Sequence, residues 1–547
     1  MAGSVNALAD LRATVERASA TLRGDGQPGA SPTLERPRKA EFGDYSTNAA
    51  MLLAPVLGAA PRDIALRLGD ELSGVLGARL ERVEVAGPGF LNLFLADDWH
   101  RESLAAMLDS GDAYGGGGAD PVERVLIEFV SANPTGPLTA AGGRHAAYGD
   151  SLARVLAFSG HAVEREYYVN DHGSQVRKLG ESISARARGE EVPEGGYEGD
   201  YVRELATALA GAADADPDEL ARRGVEVMVE RILGTLERFR VSFDTWFSER
   251  ALHESEPSAV ERQYAGLERA GHLYRSEGAV WLRTSTFGDD KDRVLQRSSG
   301  DHTYFAADVA YHEDKRRRGF DRLIDVWGAD HHGYVRRMQA AFEALGGDPA
   351  ALELVIMQFV NVIERGERAS MSKRRGDFVT LDELLDEIGV DAARFFMLQR
   401  SHDTTVDLDL DLAREQSSDN PVYYVQYAHA RLASIRAKAG EDRVAAAVSA
   451  AGDVHESPLH PAERALVLKV VAFPGEVEEA AARRAPHRIA AYGLELAQEF
   501  TAFYRDCRVV GAEPEASERF RIALSVAAQR TIARSLDLLG VRAPESM

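Results

Sequence analysis

The chain has 547 residues, is 45% hydrophobic and 28% charged, and carries a net charge of −23 with a single cysteine. That length fits roughly two to four domains with ordinary cores, and no run of about 18 apolar residues interrupts it, so a soluble, cytoplasmic protein without membrane contact is expected. One cysteine excludes an intrachain disulfide and a cysteine-rich zinc site, and the acidic balance excludes a protein that coats nucleic acid indiscriminately.

The N-terminal stretch MAGSVNALADLRATVERA is amphipathic and charged, unlike a signal peptide. Leu8, Leu11, Val15, Ala18 and Leu22 recur at helical spacing, and a Gly/Pro-rich loop follows at 24–33. Helical patterns at 46–58 and 62–76 precede RVEVA and FLNLFL, a strand pair turned by Gly87-Pro88-Gly89. Gly115 to Gly118 is the strongest linker signal, and it sets off an N-terminal α/β module over 1–112. Over 120–411 the runs RVLIEFV, AVEREYYV, RLIDVWG and ELVIMQFVNVI alternate with helical patterns, which predicts a Rossmann-type doubly wound parallel sheet. The charged, Gly-rich stretch at 185–201 breaks the alternation, and a helical insertion is expected over about 180–250. Residues 412–547 carry no comparable strand signal and read as a helix bundle. Cys507, in the helical pattern FYRDCRVVG, is expected to be a buried structural thiol.

Residues 124–150, RVLIEFVSANPTGPLTAAGGRHAAYGD, read as a strand, a tight loop and a helix start. The amides and partial positive charge of such a helix start suit phosphate, and Gly142 and Gly143 would let a nucleotide approach the backbone. More than two hundred residues later Met371-Ser372-Lys373-Arg374 lies in RGERASMSKRRGDF, where the lysine could close over a triphosphate. Together these segments resemble the two signature sequences of class I aminoacyl-tRNA synthetases, and the surrounding sequence resembles the arginyl-tRNA synthetase family. Where that family carries His-x-Gly-His, this chain has Thr139-Ala140-Ala141-Gly142, and Ser370 stands where a lysine usually opens the second signature.

The resemblance implies an arginine–tRNA ligase: L-arginine, ATP and tRNA(Arg) give arginyl-tRNA, AMP and pyrophosphate, with ATP entering as its Mg²⁺ complex and no structural metal. A guanidinium is a planar, permanently charged fork of donors, which carboxylates match. By resemblance Glu128 takes that group, Asn133 holds the amino-acid head with Ser131 beside it, and Tyr304 and Asp308, four apart on one helix face, line the side-chain pocket. Asp330 and His331, in a Gly-x-Asp-His segment, are expected beside the ATP ribose, with Thr139, Gly142, Gly143, Ser372 and Lys373 at the rest of the nucleotide. The adjacent histidines His331 and His332 lack a third ligand at metal spacing. Asn170 and Asp171, in EYYVNDHGSQV, resemble another segment near the active site. Lys373, Thr139 and Gly142 carry the expected catalytic charge stabilisation, and His145, one turn along the helix, could return an imidazole to the site.

For RNA, DYSTNAAM and GPGFLN resemble the family's appended domain that grips the tRNA corner, which implies contacts by Phe90 and Asn92 to a D-loop base. NPVYYVQYAHAR offers Tyr424 and Tyr427 as stacking surfaces for the anticodon. Lys315 to Arg318, Arg336-Arg337 and Lys373 to Arg375 are candidate basic patches on an otherwise acidic chain. A monomer is expected. The alternative is a synthetase-derived paralogue that binds tRNA or arginine without activation chemistry, in a regulatory or biosynthetic role. A third possibility is an enzyme that adenylates arginine for a non-translational acceptor.

Overall fold

Arg124–Glu128 (β1), Ala162–Val169 (β2), Thr245–Ser248 (β3), Arg322–Gly328 (β4) and Leu352–Met357 (β5) form one parallel sheet in the order β5-β4-β1-β2-β3. The computed structural model describes residues 6–24, 30–368, 379–453 and 457–547. Val125, Leu126 and Ile127 are fully buried, as a central parallel strand covered on both faces requires. From β1 the chain runs outward through β2 to β3, then returns to β1's other side for β4. That reversal opens a crevice at the carboxyl ends of β1 and β4, where open α/β sheets bind ligands.

The helix Ala140–Ser159 (α1) joins β1 to β2, and Gly149 lets it lie flat on the sheet, because a Cβ there would sit 2.1 Å from the Phe129 ring. Tyr304–Arg317 (α2) leads into β4, Val335–Ala344 (α3) into β5, and Leu381–Leu398 (α4) packs across α1. Between β2 and β3 stand the helices Ser174–Ala187, Asp200–Ala208 and Pro217–Arg238, with a core of their own that includes Leu179, Ile183, Leu205 and Met228. Between β3 and α2 lies a second insertion, an antiparallel sheet of Leu273–Ser276, Ala279–Leu282 and Arg293–Gln296, which the alternation of the sequence did not separate.

The run ELVIMQFVNVI, read as one strand, is two. Leu352–Met357 stays in the main sheet, whereas Val360–Glu364 pairs with Val406–Asp409 in a small separate sheet. Arg144 sets the break: its buried guanidinium donates to the carbonyls of Gln358, Phe359, Ser401 and Thr404 at 2.7, 3.2, 2.9 and 2.8 Å. The guanidinium thus satisfies the carbonyls at the break, and that of Phe359 also accepts the Val406 amide at 3.0 Å, where the small sheet begins.

In the N-terminal region the helices Ala7–Arg23, Ala49–Leu57 and Pro61–Leu76 accompany a four-stranded sheet, whose hairpin, Leu80–Ala86 with Phe90–Leu95, turns at Gly87–Gly89. The glycine run that follows is a packed seam rather than a loose tether. A Cβ at Gly115 would sit 2.6 Å from the Phe473 ring, and one at Gly116 would sit 2.7 Å from the Phe158 carbonyl oxygen. Arg464 pairs with Asp97, and the Tyr114 hydroxyl donates to the Val470 carbonyl, fastening this region to the C-terminal helices. Those helices run from Pro421 to Leu538 and enclose Cys507, whose thiol burial pushes up to about 11.

Candidate active site

A cleft of about 650 Å³ opens at the carboxyl ends of β1 and β4, and Glu128, Ser131, Asn133, Thr139, Gly142, His145, Tyr304, Asp308, Asp330 and His331 all line it. Thr139, the N-cap of α1, accepts the Gly142 amide through Oγ1 at 3.2 Å, and the Ala140 amide donates to the Val379 carbonyl at 3.1 Å. Among the described residues the first turn therefore presents fewer open donors than a bare helix start would: the Thr139 hydroxyl proton and the Ala141 amide. Gly142 faces the cleft, but Gly143 does not. It is buried, and a Cβ on it would sit 2.7 Å from Leu381, so this glycine admits α4 rather than a nucleotide.

His145 reaches the cleft, but as a neutral group. Burial foremost, with Arg144 beside it, pushes the imidazole down to about 4, and a ring N–H donates to the Val326 carbonyl. An uncharged ring already committed to a carbonyl does not replace a lost cationic donor at phosphate, which corrects the catalytic expectation for this residue. His145→Ala is expected to raise KM for ATP through lost packing while changing kcat for arginyl-tRNA formation by less than about threefold. A kcat loss of two orders of magnitude in steady-state assays would restore the catalytic role.

The other end of the cleft is acidic. Tyr168 sits among Glu249, Asp308, Glu128 and Asp171, which together with burial raise its phenol. Two of these four carboxylates are answered by cations. Glu128 accepts Lys315 at 2.5 Å and the Ser131 hydroxyl at 2.7 Å, and Asp171 accepts Ser248 and Arg250. The other two have no ion-pair partner among the described residues. Asp308 accepts the Tyr334 hydroxyl, and burial raises its carboxyl despite that bond. Burial, reinforced by Asp308 and Asp171, pushes the Glu249 carboxyl up to about 8. Leaving such a pair uncompensated inside a protein is costly, and the cost falls when a cation arrives.

Glu249 was not singled out from the sequence, although it immediately follows β3 as Glu128 ends β1, at the same carboxyl edge of the sheet. Tyr304 lies at the rim, 65% exposed, with its hydroxyl 3.1 Å from that of Ser174. Asn133 donates to Gln175 at 2.9 Å. Asp330 and His331 are exposed on the turn Ala329–Tyr334, whereas His332 lines a separate groove. Ser372 and Lys373 lie outside the described residues.

Of the groups expected to meet RNA, Phe90 is 40% exposed and Tyr427 is 42% exposed, the latter stacked on Tyr423 with Arg431 over its ring. Tyr424 is half-buried, its hydroxyl donating to Thr501 at 2.9 Å. Asn92 is 4% exposed and accepts the Ser46 hydroxyl at 2.8 Å; it shares its strand face with Phe90, opposite Leu91 and Leu93, which pack in the core. The basic run at 315–318 is likewise no RNA patch: Lys315 is buried, Arg316 and Arg317 pair with Glu313, and Arg318 takes both oxygens of Glu166.

Residues 8–95 match the arginyl tRNA synthetase N terminal domain, 211–432 the catalytic domain of class I (R) tRNA synthetases, and 425–547 the DALR anticodon binding domain. Among relatives, the arginine–tRNA ligases of Geobacillus thermodenitrificans and Frankia alni are each 45% identical, over 530 and 529 residues, and that of Bacillus subtilis is 43% identical over 529. For the first and third of these the alignment covers 94% of both chains. The Thermus thermophilus arginyl-tRNA synthetase structure superposes with a TM-score of 0.76 at 25% identity, covering 98% of this chain and 100% of that one. The chain therefore belongs to the arginyl-tRNA synthetase family of class I.

Proposed function

We propose that the chain attaches L-arginine to tRNA(Arg). The arginine carboxylate attacks the α-phosphorus of ATP and expels pyrophosphate, and the terminal ribose hydroxyl of the tRNA then takes the arginyl group and releases AMP. The observation that carries this reading is Asp308, which lines a cleft that also reaches the start of α1, with the buried Glu249 close enough for the aspartate to raise its carboxyl; neither has a cation partner among the described residues. A guanidinium fits them in charge and in donor geometry. Tyr304 covers the side-chain stem from the rim, Asn133 holds the α end, and Glu128, already engaged by Lys315, shapes the floor rather than supplying the free charge.

Thr139, the Ala141 amide and Gly142 receive the nucleotide, Asp330 and His331 lie beside its ribose, and Ser372 and Lys373 close over the triphosphate. Mg²⁺ arrives with ATP and neutralises the leaving pyrophosphate. Because both reactants are anionic, the work is positioning and charge cancellation. Exposed Tyr427, backed by Tyr423, stacks on an anticodon base with Tyr424 beside it on the same helix, and Phe90 meets the tRNA corner. The protein acts as a monomer in the cytoplasm.

The engaged amides of Ala140 and Gly142, together with the missing imidazoles of the first signature, favour a second reading: a paralogue that binds both ligands and activates neither. Labelled arginine, ATP and a tRNA(Arg) transcript decide between the two. Arginyl-tRNA should accumulate with enzyme and time; tight binding of both ligands with no charging would establish the second reading.

A further inference from the structure

The middle of the parallel sheet carries an unusual row. In register, Asp325 of β4 lies beside Glu128 of β1, and Glu128 lies beside Glu166 of β2. Three carboxylates side by side on adjacent strands repel one another unless cations are supplied. The C-terminal end of α2 supplies them: Arg318 takes Glu166, and the fully buried Lys315 bridges Glu128 at 2.5 Å and Asp325 at 2.7 Å, 4.3 Å from the Tyr311 ring centroid.

Glu128 passes this constraint on. Its Oε2 is held by Lys315, and its Oε1 accepts the Ser131 hydroxyl at 2.7 Å. Ser131 also accepts the Tyr168 amide at 3.1 Å, and its carbonyl accepts Asn170 at 3.0 Å. Three anchors on one serine answer a local need, because Val130 and Ser131 are consecutive non-glycine residues at φ of 68° and 39°. Such a backbone persists only where its surroundings over-determine it. Two residues further on, the same loop presents Asn133 to the cleft.

We propose that Lys315 is a positioning residue for the α end of bound arginine: its buried ammonium fixes Glu128, Glu128 fixes Ser131, and Ser131 holds the left-handed loop that presents Asn133. This rests on the reading that Asn133 contacts the amino-acid head. The lysine touches no substrate and makes no hydrogen bond to Asp308 or Glu249, although its charge reaches Asp308.

The test separates the two ends of the ligand. L-Arginine has both ends, and n-butylguanidine has only the guanidinium. Binding of each to full-length wild-type, Lys315→Met, Ser131→Ala and Asn133→Ala proteins would be measured by calorimetry, or by inhibition of tRNA-dependent pyrophosphate exchange for the weaker ligand. In Lys315→Met and Ser131→Ala, arginine affinity is expected to fall about tenfold or more; n-butylguanidine affinity is expected to change by less than about twofold in Ser131→Ala and by clearly less than arginine affinity in Lys315→Met, whose lost charge also reaches Asp308. Ser131→Ala creates no unpaired buried charge, so it decides the matter if Lys315→Met fails to fold. Equal weakening of both ligands would place Lys315 in the guanidinium pocket and overturn the inference. Unchanged arginine affinity in Ser131→Ala, with a loss in Asn133→Ala, would also overturn it while leaving the role of Asn133 standing. Unchanged affinity in Asn133→Ala would remove the underlying reading and this inference with it.

Discussion

Asp308→Asn is expected to weaken L-arginine binding by about a hundredfold, on the scale of roughly 3 kcal/mol for removing one partner of a buried charge pair. The aspartate of α2 lines the cleft, and the only bonded partner of its carboxylate among the described residues is the neutral Tyr334 hydroxyl. Its charge is therefore available to a ligand. The amide keeps the shape and the acceptor oxygen for Tyr334, but it presents a neutral group to a guanidinium that remains charged throughout. ATP affinity should change by less than about twofold, because the nucleotide end of the cleft contacts other residues. Equilibrium dialysis with each ligand separately checks both halves of the expectation. A loss shared equally by arginine and ATP would indicate general collapse of the cleft rather than removal of a specific charge.

Lys373→Ala should lower tRNA-dependent pyrophosphate exchange by about two orders of magnitude, since deleting one preorganised donor to developing phosphate charge costs about 3 kcal/mol. The residue lies outside the described segments, and the expectation comes from its place in the second signature. Here the dependence should be stronger than where two histidines share the load. Thr139 is occupied as an N-cap, the Ala140 and Gly142 amides are bonded, and His145 is neutral. Melting temperature is expected to hold, which differential scanning calorimetry of the variant checks. Exchange within threefold of wild type would move the charge stabilisation to another group.

The parts of this molecule that were legible in the sequence are those set by local pattern. The apolar run of β1, the hairpin at Gly87–Gly89 and the helix start after the 133–137 loop each follow from residues a few positions apart, and all formed as expected. The misreadings arose where a distant group decides. ELVIMQFVNVI breaks because Arg144, more than two hundred residues earlier, captures the carbonyls of Gln358 and Phe359. Lys315 looks like part of a basic surface run, yet the helix register turns it inward onto Glu128 and Asp325, leaving only its neighbours near solvent. Gly143, expected to admit a nucleotide, instead admits Leu381 from a helix that passes over it.

The guanidinium pocket was half legible for the same reason. Asp308 was expected there because Tyr304 and Asp308 resemble the family's Tyr-x-x-x-Asp pair. Glu249 was not, since nothing near it in sequence reveals that β3 ends beside Asp308 and Asp171. Conversely, Glu128 has the position of a cation ligand, but its charge is already answered inside the protein.

The central claim, that Asp308 and Glu249 form the seat of the arginine guanidinium, is tested most directly by the pH dependence of arginine binding. In the unliganded protein Glu249 titrates at about 8, so near neutrality it is mostly protonated. A guanidinium beside it favours the carboxylate and lowers that value, so binding below pH 8 must release a proton and must strengthen as pH rises. Between about pH 5.5 and 7.5, where arginine's own α-ammonium stays protonated, the Kd measured by calorimetry should fall close to tenfold per pH unit, with proton release visible as a buffer-dependent enthalpy. Glu249→Gln should remove both the slope and the released proton. A wild-type Kd that stays flat across that range, or a slope that survives unchanged in Glu249→Gln, would contradict the assignment.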